Sequence, residues 1–425
     1  MSFVRRNWLW LFAAIVLLAF PFLFYDWTKA RHSGFALTLM SEIGVMAIFA
    51  LSFNMLMGQA GLLSFGHAVL FGLGAYCTAH AVNAVKAGTI WIPIELVPLV
   101  GGFGGLVFGY LLGWLATKQR ATAFAMITMG LGELVSAAAL MFMGFFGGEG
   151  GISIDRVMDT SLFGISYATP WQVYCLVLVW AFIAAALMKL QTETPLGRIA
   201  NATRDNFERA QFVGYDPRIV RLLQFTLSGF FAGIAGGLYV LIYEIVTFDT
   251  LGAAKSANAL LAAYIGGAGG FFGPILGTIV VVLLQSGVSL LSNAWLLYVG
   301  VLFIVMVMFA PGGLIGLIGM HRPIRRVGRL GELVVPYLRA FPAALSVMLG
   351  FVLIVELASN ITIGAAQGKK FAIAGTLIDT ASPVIWGIGL LGLIGGGFWL
   401  RIEARRFRVR WDALIDDAKR QGIVV

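Results

Sequence analysis

Apolar residues in this chain gather into long, nearly unbroken runs separated by short polar segments. The runs lie near 8–25, 36–57, 67–84, 93–116, 121–143, 171–190, 223–246, 257–272, 274–291, 295–318, 341–358 and 383–400. A helix crosses the hydrocarbon core of a bilayer in about 20 apolar residues, which is the length scale of these runs. Inside lipid the backbone must satisfy its own hydrogen bonds, and the runs lack the period-two alternation of a barrel. The pattern therefore predicts an all-α, polytopic transmembrane bundle of about twelve spans. The first run follows Arg5-Arg6, has no small-residue cleavage site and is long enough to cross, so it reads as a retained helix rather than a signal peptide.

Composition supports the pattern: 60% of the 425 residues are hydrophobic and 12% charged, with a mean hydropathy of +0.91. No soluble domain has this balance. The 54 glycines include small-residue series at Gly109/Gly113, Gly229/Gly233/Gly237 and Gly273/Gly277, which let helix backbones approach closely. The net charge of +9 is explained by loops rather than by nucleic acid. With the N-terminus cytoplasmic and every run crossing, 22 of the 29 Lys and Arg residues fall on the inner side and 7 on the outer. That asymmetry supports both the orientation and cytoplasmic placement of both termini. Cys77 and Cys175 each sit within an apolar run and read as packing residues.

Two extramembrane stretches stand out. Gly144–Pro170 is the longest outer loop and contains Glu149, Asp155 and Asp159. On the inner side, 191–222 opens with Thr194-Pro195, an N-cap followed by proline at the first helical position, and stops at Gly214 with Pro217 beyond. Between them one helix is predicted, with Ile199, Ala202, Phe207, Ala210 and Val213 on an apolar arc. Arg198, Arg204, Asp205, Glu208 and Arg209 lie outside that arc or at its edge. Such a helix either docks a cytoplasmic partner or lies on the membrane or bundle surface. Mixed charge on its polar side favours a protein partner.

The sequence contains no phosphate-binding G-x-x-x-x-G-K-[ST], no H-E-x-x-H, no C-x-x-C and no G-x-S-x-G. Neither an enzyme nor a bound metal or cofactor is expected. Ionisable residues at membrane depth are functional candidates because an unpaired charge there is unfavourable. These are Glu42, His67, His80, Glu133, Glu244 and Glu356, the last two near predicted helix ends where they can reach water. In 54–67 (NMLMGQAGLLSFGH), polar residues and glycines interrupt two apolar runs. Irregular backbone at membrane depth is tolerated where it is buried in protein or lines a cavity. Asn54, Gln59, Ser64, His67 and Glu133 are therefore candidates for a solute path, against the alternative that 54–67 is a cytoplasmic turn. The glycine-rich 266–277 raises the same question, with close helix packing as its first reading.

Six segments together carry a family resemblance: 58–76 (GQAGLLSFGHAVLFGLGAY), 123–133 (AFAMITMGLGE), 147–151 (GGEGG), 195–215 (PLGRIANATRDNFERAQFVGY), 266–277 (GGAGGFFGPILG) and 311–316 (PGGLIG). In this order they resemble the LivM-type permeases of branched-chain amino acid ABC importers, a family that includes urea permeases. The resemblance implies a core of about ten helices at 35–318, preceded by the helix and outer loop of 1–34. It also implies a second related permease subunit, two cytoplasmic ATPases that use ATP, a periplasmic substrate-binding protein and a bacterial inner membrane. It makes 191–222 a coupling loop, with Arg198, Arg204, Asp205, Phe207, Glu208, Arg209 and Gly214 as coupling candidates. The expected cargo is a branched-chain or other hydrophobic amino acid, with urea, amides or carboxylates as alternatives. A proton-coupled secondary transporter using Glu42 or Glu133 is the competing class, and a membrane scaffold the third. The family pattern ends near Gly316, whereas 319–425 adds two further spans and a basic tail.

Overall fold

The computed structural model describes residues 25–26, 31–32, 34–119, 121–158, 160–290, 292–362, 370–373, 376–379 and 382–421. The predicted first helix, Arg120 and Asp159 lie outside them. Three two-stranded antiparallel pairs are the only sheet among the described residues. Helices account for nearly everything else: α1 (Gly34–Asn54), α2 (His67–Lys86), α3 (Val97–Ala116), α4 (Ala121–Met141), α5 (Pro170–Glu193), α6 (Pro195–Asp205), α7 (Phe207–Phe212), α8 (Pro217–Tyr243), α9 (Ala253–Gly266), α10 (Gly273–Val282), α11 (Trp295–Phe309), α12 (Gly313–Met320), α13 (Arg322–Val327), α14 (Val334–Thr362) and α15 (Pro383–Arg420). Eight helices among the described residues are long and apolar enough to cross a membrane, or nine if Trp295–Phe309 and Gly313–Val327 form one span. The chain is a multi-pass helical membrane protein. It divides into two compact units, 1–283 with 305–314, and 284–304 with 315–425.

In the first unit α8 is the axle. Its Gly229 and Gly233 face Gly101, Gly105 and Gly109 of α3 so closely that a Cβ on Gly105 would stand 2.1 Å from the Gly229 carbonyl oxygen. A Cβ on Gly74 of α2 would meet Gly233 Cα at 2.4 Å, so three backbones converge where no side chain intervenes. Lipid gives helices little hydrophobic reason to associate, and such close van der Waals contact supplies the attraction. Around this seam pack the fully buried Phe49, Phe53, Phe71, Tyr76 and Phe124.

The upper end of this unit, which carries 144–169, is closed by polar contacts. Ile152–Ser153 pairs antiparallel with Ile245–Val246. Arg156 donates to the carbonyls of Leu241 (3.3 Å) and Ile242 (3.2 Å), placing its cation at the C-terminus of α8, the sign the helix dipole favours. Glu244 caps that helix in the left-handed region (φ 57°) and lies 3.7 Å from Arg156 Nε. Its expected place at a helix end holds.

Two predicted spans differ. The runs 257–272 and 274–291 become α9, of 14 residues, and α10, of 10 residues, continued by a π-helical turn at Leu283–Val288. Both are shorter than the expected spans because Gly266, Gly267, Gly273 and Gly313 crowd into a tight turn, where a Cβ on Gly266 would lie 1.8 Å from the Gly273 oxygen. The helix expected over the inner loop is also not continuous, as described below.

In the second unit α14 and α15 form a hairpin whose close approach is again made by small residues. Ser346 Oγ donates to the Gly392 carbonyl (3.2 Å), and a Cβ on Gly350 would meet Leu393 N at 2.5 Å. Only 22% of the apolar window of 330–361 and 11% of that of 383–420 is buried, against 78% for α2 and α8. Tyr298 donates to Glu356 at 2.6 Å, and Glu356 is 8% exposed. The acid expected to reach water is therefore held inside by a phenol. The basic tail is not loose: α15 runs unbroken through it to Arg420, anchored by Arg329 on Asp417 (2.6 Å) and by Phe407 and Trp411 against His321 and Tyr337.

Candidate solute path and coupling surface

The break between α1 and α2 places the first set of candidates. After Asn54 the helix widens to a π turn over Met55–Gln59, passes Gly61 at φ +67° and restarts at His67. Asn54 (4% exposed), Gln59 (8%), Ser64 (0%) and His67 (0%) are all buried, whereas Gly61 and Phe65 of the same segment are exposed. His67 Nε2 hydrogen-bonds Ser52 Oγ at 3.0 Å, and its ring stacks on Phe49 and meets Phe53 edge-on. Gln59 Oε1 accepts from Gln224 Nε2 (2.8 Å), and Gln224 Oε1 accepts from Gln191 Nε2 (2.8 Å). Gln224 also donates to the Met55 carbonyl at 3.3 Å, serving backbone freed by the π turn. Gln191 and Gln224 were absent from the sequence-derived set, although Gln224 is an uncharged amide inside the apolar run Leu222–Leu227. Buried polar groups are expensive to leave unmade. Among the described residues Asn54 Oδ1, Ser64 Oγ and His67 Nδ1 nevertheless have no partner.

Glu133 is not with this group. It lies on the exposed side of α4 with Met126 (75% exposed), Leu134 (63%) and Met141 (78%). Glu42 is half-buried on α1. His80 Nε2 bonds the Phe145 carbonyl at 2.8 Å. No cluster of three His, Cys, Asp or Glu side chains fit for a metal exists among the described residues, and both cysteines are free.

The inner loop starts as its sequence suggests. Thr194 Oγ1 accepts from Gly197 N (3.3 Å) and Pro195 opens α6. The single helix expected to 213 is broken at Asn206, whose backbone is extended (φ −153°, ψ 104°) and whose Oδ1 accepts from Arg209 N at 2.9 Å to cap α7. Asparagine favours such caps over helix interiors because its side chain competes for backbone groups. Gly214 ends α7 at φ +92°, as predicted.

The apolar arc also faces elsewhere than a partner groove requires. Leu196, Ile199 and Ala200 pack on the bundle core, and Ala210 is 6% exposed. Phe207 lies under the Arg221 guanidinium, 4.9 Å from its ring centre. Arg221 is 3% exposed and donates to the carbonyls of Pro217 (3.1 Å) and Gln119 (3.2 Å). Arg198, Asp205, Glu208 and Arg209 are exposed. So are Phe212 (90%), Val213 (69%) and Tyr215 (46%), an apolar tip the sequence reading did not separate from the buried arc.

Arg204 joins the two regions. Its Nη1 donates to the Gly58 carbonyl at the end of the π turn, while Nη2 pairs with Asp205 at 2.9 Å. A Cβ on Gly61 would stand 2.7 Å from Arg204 Cγ, so glycine there admits both the positive φ and the arginine. The coupling-loop candidates and the broken-segment candidates thus share one contact.

The family model described as "Branched-chain amino acid transport system / permease component" matches residues 35–310. The chain belongs to this family. It is 25% identical over 311 residues to the high-affinity branched-chain amino acid transport system permease protein LivM of Escherichia coli K12, covering 68% of this chain and 72% of that protein. The LivM protein of Salmonella typhimurium is 26% identical, over 64% of this chain and 68% of its own length. LivH of the same organism is 22% identical, over 59% and 82%. No solved structure matches. The resemblance to LivM-type permeases therefore holds, and the matched region ends just before the residues at 315–425 that fall in the second compact unit.

Proposed function

We propose that this chain is one of two permease subunits of an ABC importer in a bacterial inner membrane, forming the path for a branched-chain or other hydrophobic amino acid. The end carrying 144–169 faces the periplasm and a substrate-binding protein; the end carrying 191–222 faces two ATPase subunits. The 22-to-7 division of basic residues supports this orientation, with both termini in the cytoplasm. The chain itself performs no chemistry and holds no cofactor; ATP is used by the partners.

The observation that carries the reading is the Arg204 contact with Gly58. An ATPase that grips the exposed tip Phe212, Val213 and Tyr215, with Arg198, Glu208 and Arg209 setting orientation, displaces α6 and α7. Through Arg204 the displacement reaches the π turn, where Gln59, Gln224 and Gln191 are chained by hydrogen bonds and Asn54, Ser64 and His67 lie close in sequence. Segments with few alternative partners for freed backbone switch between discrete arrangements rather than deform continuously. The docking anchor is accordingly Phe212 with Val213, and Phe207 positions the loop through Arg221. Permeation of urea, amides or carboxylates is the alternative within the family.

The test replaces Phe212 by alanine. The variant should insert normally and lose ATPase association or substrate-stimulated hydrolysis, the loss expected of an interface anchor of about 2 kcal/mol. Full coupling in Phe212→Ala together with full coupling in a charge-reversed Glu208/Arg209 pair would remove the docking assignment.

A further inference from the structure

In the second unit, α15 leaves its apolar run at Arg401 and continues as helix to Arg420. Charge along this extension is unevenly placed. Residues 401–410 hold five arginines and one acid, Glu403, whereas 412–420 hold three aspartates against Lys419 and Arg420. At a rise of 1.5 Å per residue the arginine-rich part covers about 15 Å. A lipid headgroup layer and one Debye length beyond it reach about as far.

The arginines fall on two faces. Towards α14 they are matched: Arg406 pairs with Glu403 at 2.7 Å, and Arg410 pairs with Glu332. These two arginines and Arg339 line a cavity of about 420 Å³ whose acids, Glu332 and Glu403, offset most of its charge. Arg401, Arg405 and Arg408 lie on the other face. They are exposed, and among the described residues no carboxylate is within ion-pair distance of them. Spacings of four and three put them in one row, which runs back into the span through the exposed Phe398, Ile394 and Leu391. At 3.6 residues per turn the six occupy an arc of about 100°. The next acid along it, Asp412, comes a turn beyond Arg408. One face of one helix thus changes from apolar to cationic where the apolar run ends.

Folding gives no reason for this row, since like charges at this spacing repel one another and the three guanidinium groups serve no packing contact. A soluble protein would meet only the arginines. A phospholipid beside the helix meets both halves of the row. Its chains lie along the apolar residues, and its phosphate reaches the guanidinium groups, whose planar forks match pairs of phosphate oxygens.

We propose that this row binds an anionic phospholipid, with the headgroup on Arg401, Arg405 and Arg408 and the chains on Leu391, Ile394 and Phe398. Anionic lipid is selected over zwitterionic lipid because three cations leave a headgroup ammonium without a partner. The site is independent of what the permease carries.

The test uses the full chain in neutral detergent, with dioleoylphosphatidylglycerol and dioleoylphosphatidylcholine as probes and native mass spectrometry as the readout. Phosphatidylglycerol should bind at least about tenfold more tightly, and salt should weaken it. An arginine near an anionic headgroup is worth about fivefold, so Arg401→Gln, Arg405→Gln and Arg408→Gln combined should erase the preference. Lys419→Gln with Arg420→Gln, at the far end of the same helix, should keep it. Phosphatidylglycerol with a photoreactive group on its acyl chain should crosslink within 391–398 of the wild-type chain, and this result decides if the triple variant does not reach the membrane. Equal binding of the two lipids, a preference untouched in the triple variant, or crosslinks only elsewhere overturns the proposal. Competition by glycerophosphoglycerol, the same headgroup without chains, overturns it in favour of a free-phosphate site. Loss of a co-purifying ATPase from the triple variant with lipid binding unchanged overturns it in favour of a protein contact.

Discussion

Replacing Arg204 by methionine isolates the contact between coupling loop and broken segment. Methionine keeps the stem that packs against Gly61 and removes the donors to the Gly58 carbonyl and Asp205. A hydrogen bond to a charged group contributes about 1.5–3 kcal/mol when shielded. The Arg204 side chain is 39% exposed and already shared with Asp205, so screening lowers the expected value to about 1 kcal/mol. That is too little to unfold a bundle whose core lies elsewhere. It is enough to shift the balance between engaged and disengaged loop positions by about fivefold. In proteoliposomes the variant should assemble with its ATPases and hydrolyse ATP at the basal rate, while import per ATP falls by a similar factor. Wild-type import per ATP would refute the transmission path. Loss of assembly would show that Arg204 serves the docking surface instead.

Gly105→Leu should abolish stable insertion, because its Cβ alone would stand 2.1 Å from the Gly229 carbonyl oxygen in a backbone seam that cannot yield; unchanged membrane levels would show the seam is looser than described. Asp155 pairs with Lys86 at 2.5 Å, and that hydrogen bond holds its carboxyl below the usual range. A carboxylate with a depressed folded value stabilises above its unfolded value, near 4, and loses that contribution as pH falls through the folded one. Protease nicking of 144–158 in vesicles should thus rise on acidification, and Asp155→Asn should raise it at neutral pH and flatten the dependence; no difference between the two proteins would count against the pin. A chain truncated after Met320 should still import, since the family match ends at 310 and the added hairpin buries little; normal levels without import would make 319–425 part of the mechanism. Cysteine reporters at Asp155 should be labelled from the periplasm and those at Arg325 should not, and the reverse would overturn the orientation.

Hydrophobic run length placed the long helices between 34 and 193 to within a few residues, because bilayer thickness and backbone satisfaction leave few alternatives; α8, α14 and α15 extend past their apolar runs, α15 as far as Arg420, because a helix continues into water where its polar residues are good helix formers. Run length overestimated α9 and α10, where runs of apolar residues continue through glycines that in fact make a turn. The caps at Thr194 and Gly214 were legible because capping is local. The break at Asn206 carries the same kind of signal and was outweighed by the helical periodicity around it. Periodicity found the apolar arc of the inner loop without saying which surface it meets. Only the tertiary structure shows Ile199 on the bundle, Phe207 under Arg221 and Phe212 in the open. Likewise 54–67 announced a polar break, while its partners Gln191 and Gln224 come from helices distant in sequence.

The central claim is that this chain forms a solute path driven by ATP hydrolysis on other subunits. Uptake of labelled L-leucine into proteoliposomes containing this chain, its partner permease, the ATPases and the binding protein tests it directly, with and without ATP on the ATPase side and with and without a proton gradient. Uptake is predicted to require ATP and this chain and to ignore the gradient. Uptake that follows the proton gradient without ATP, or that persists when this chain is omitted, would contradict the account.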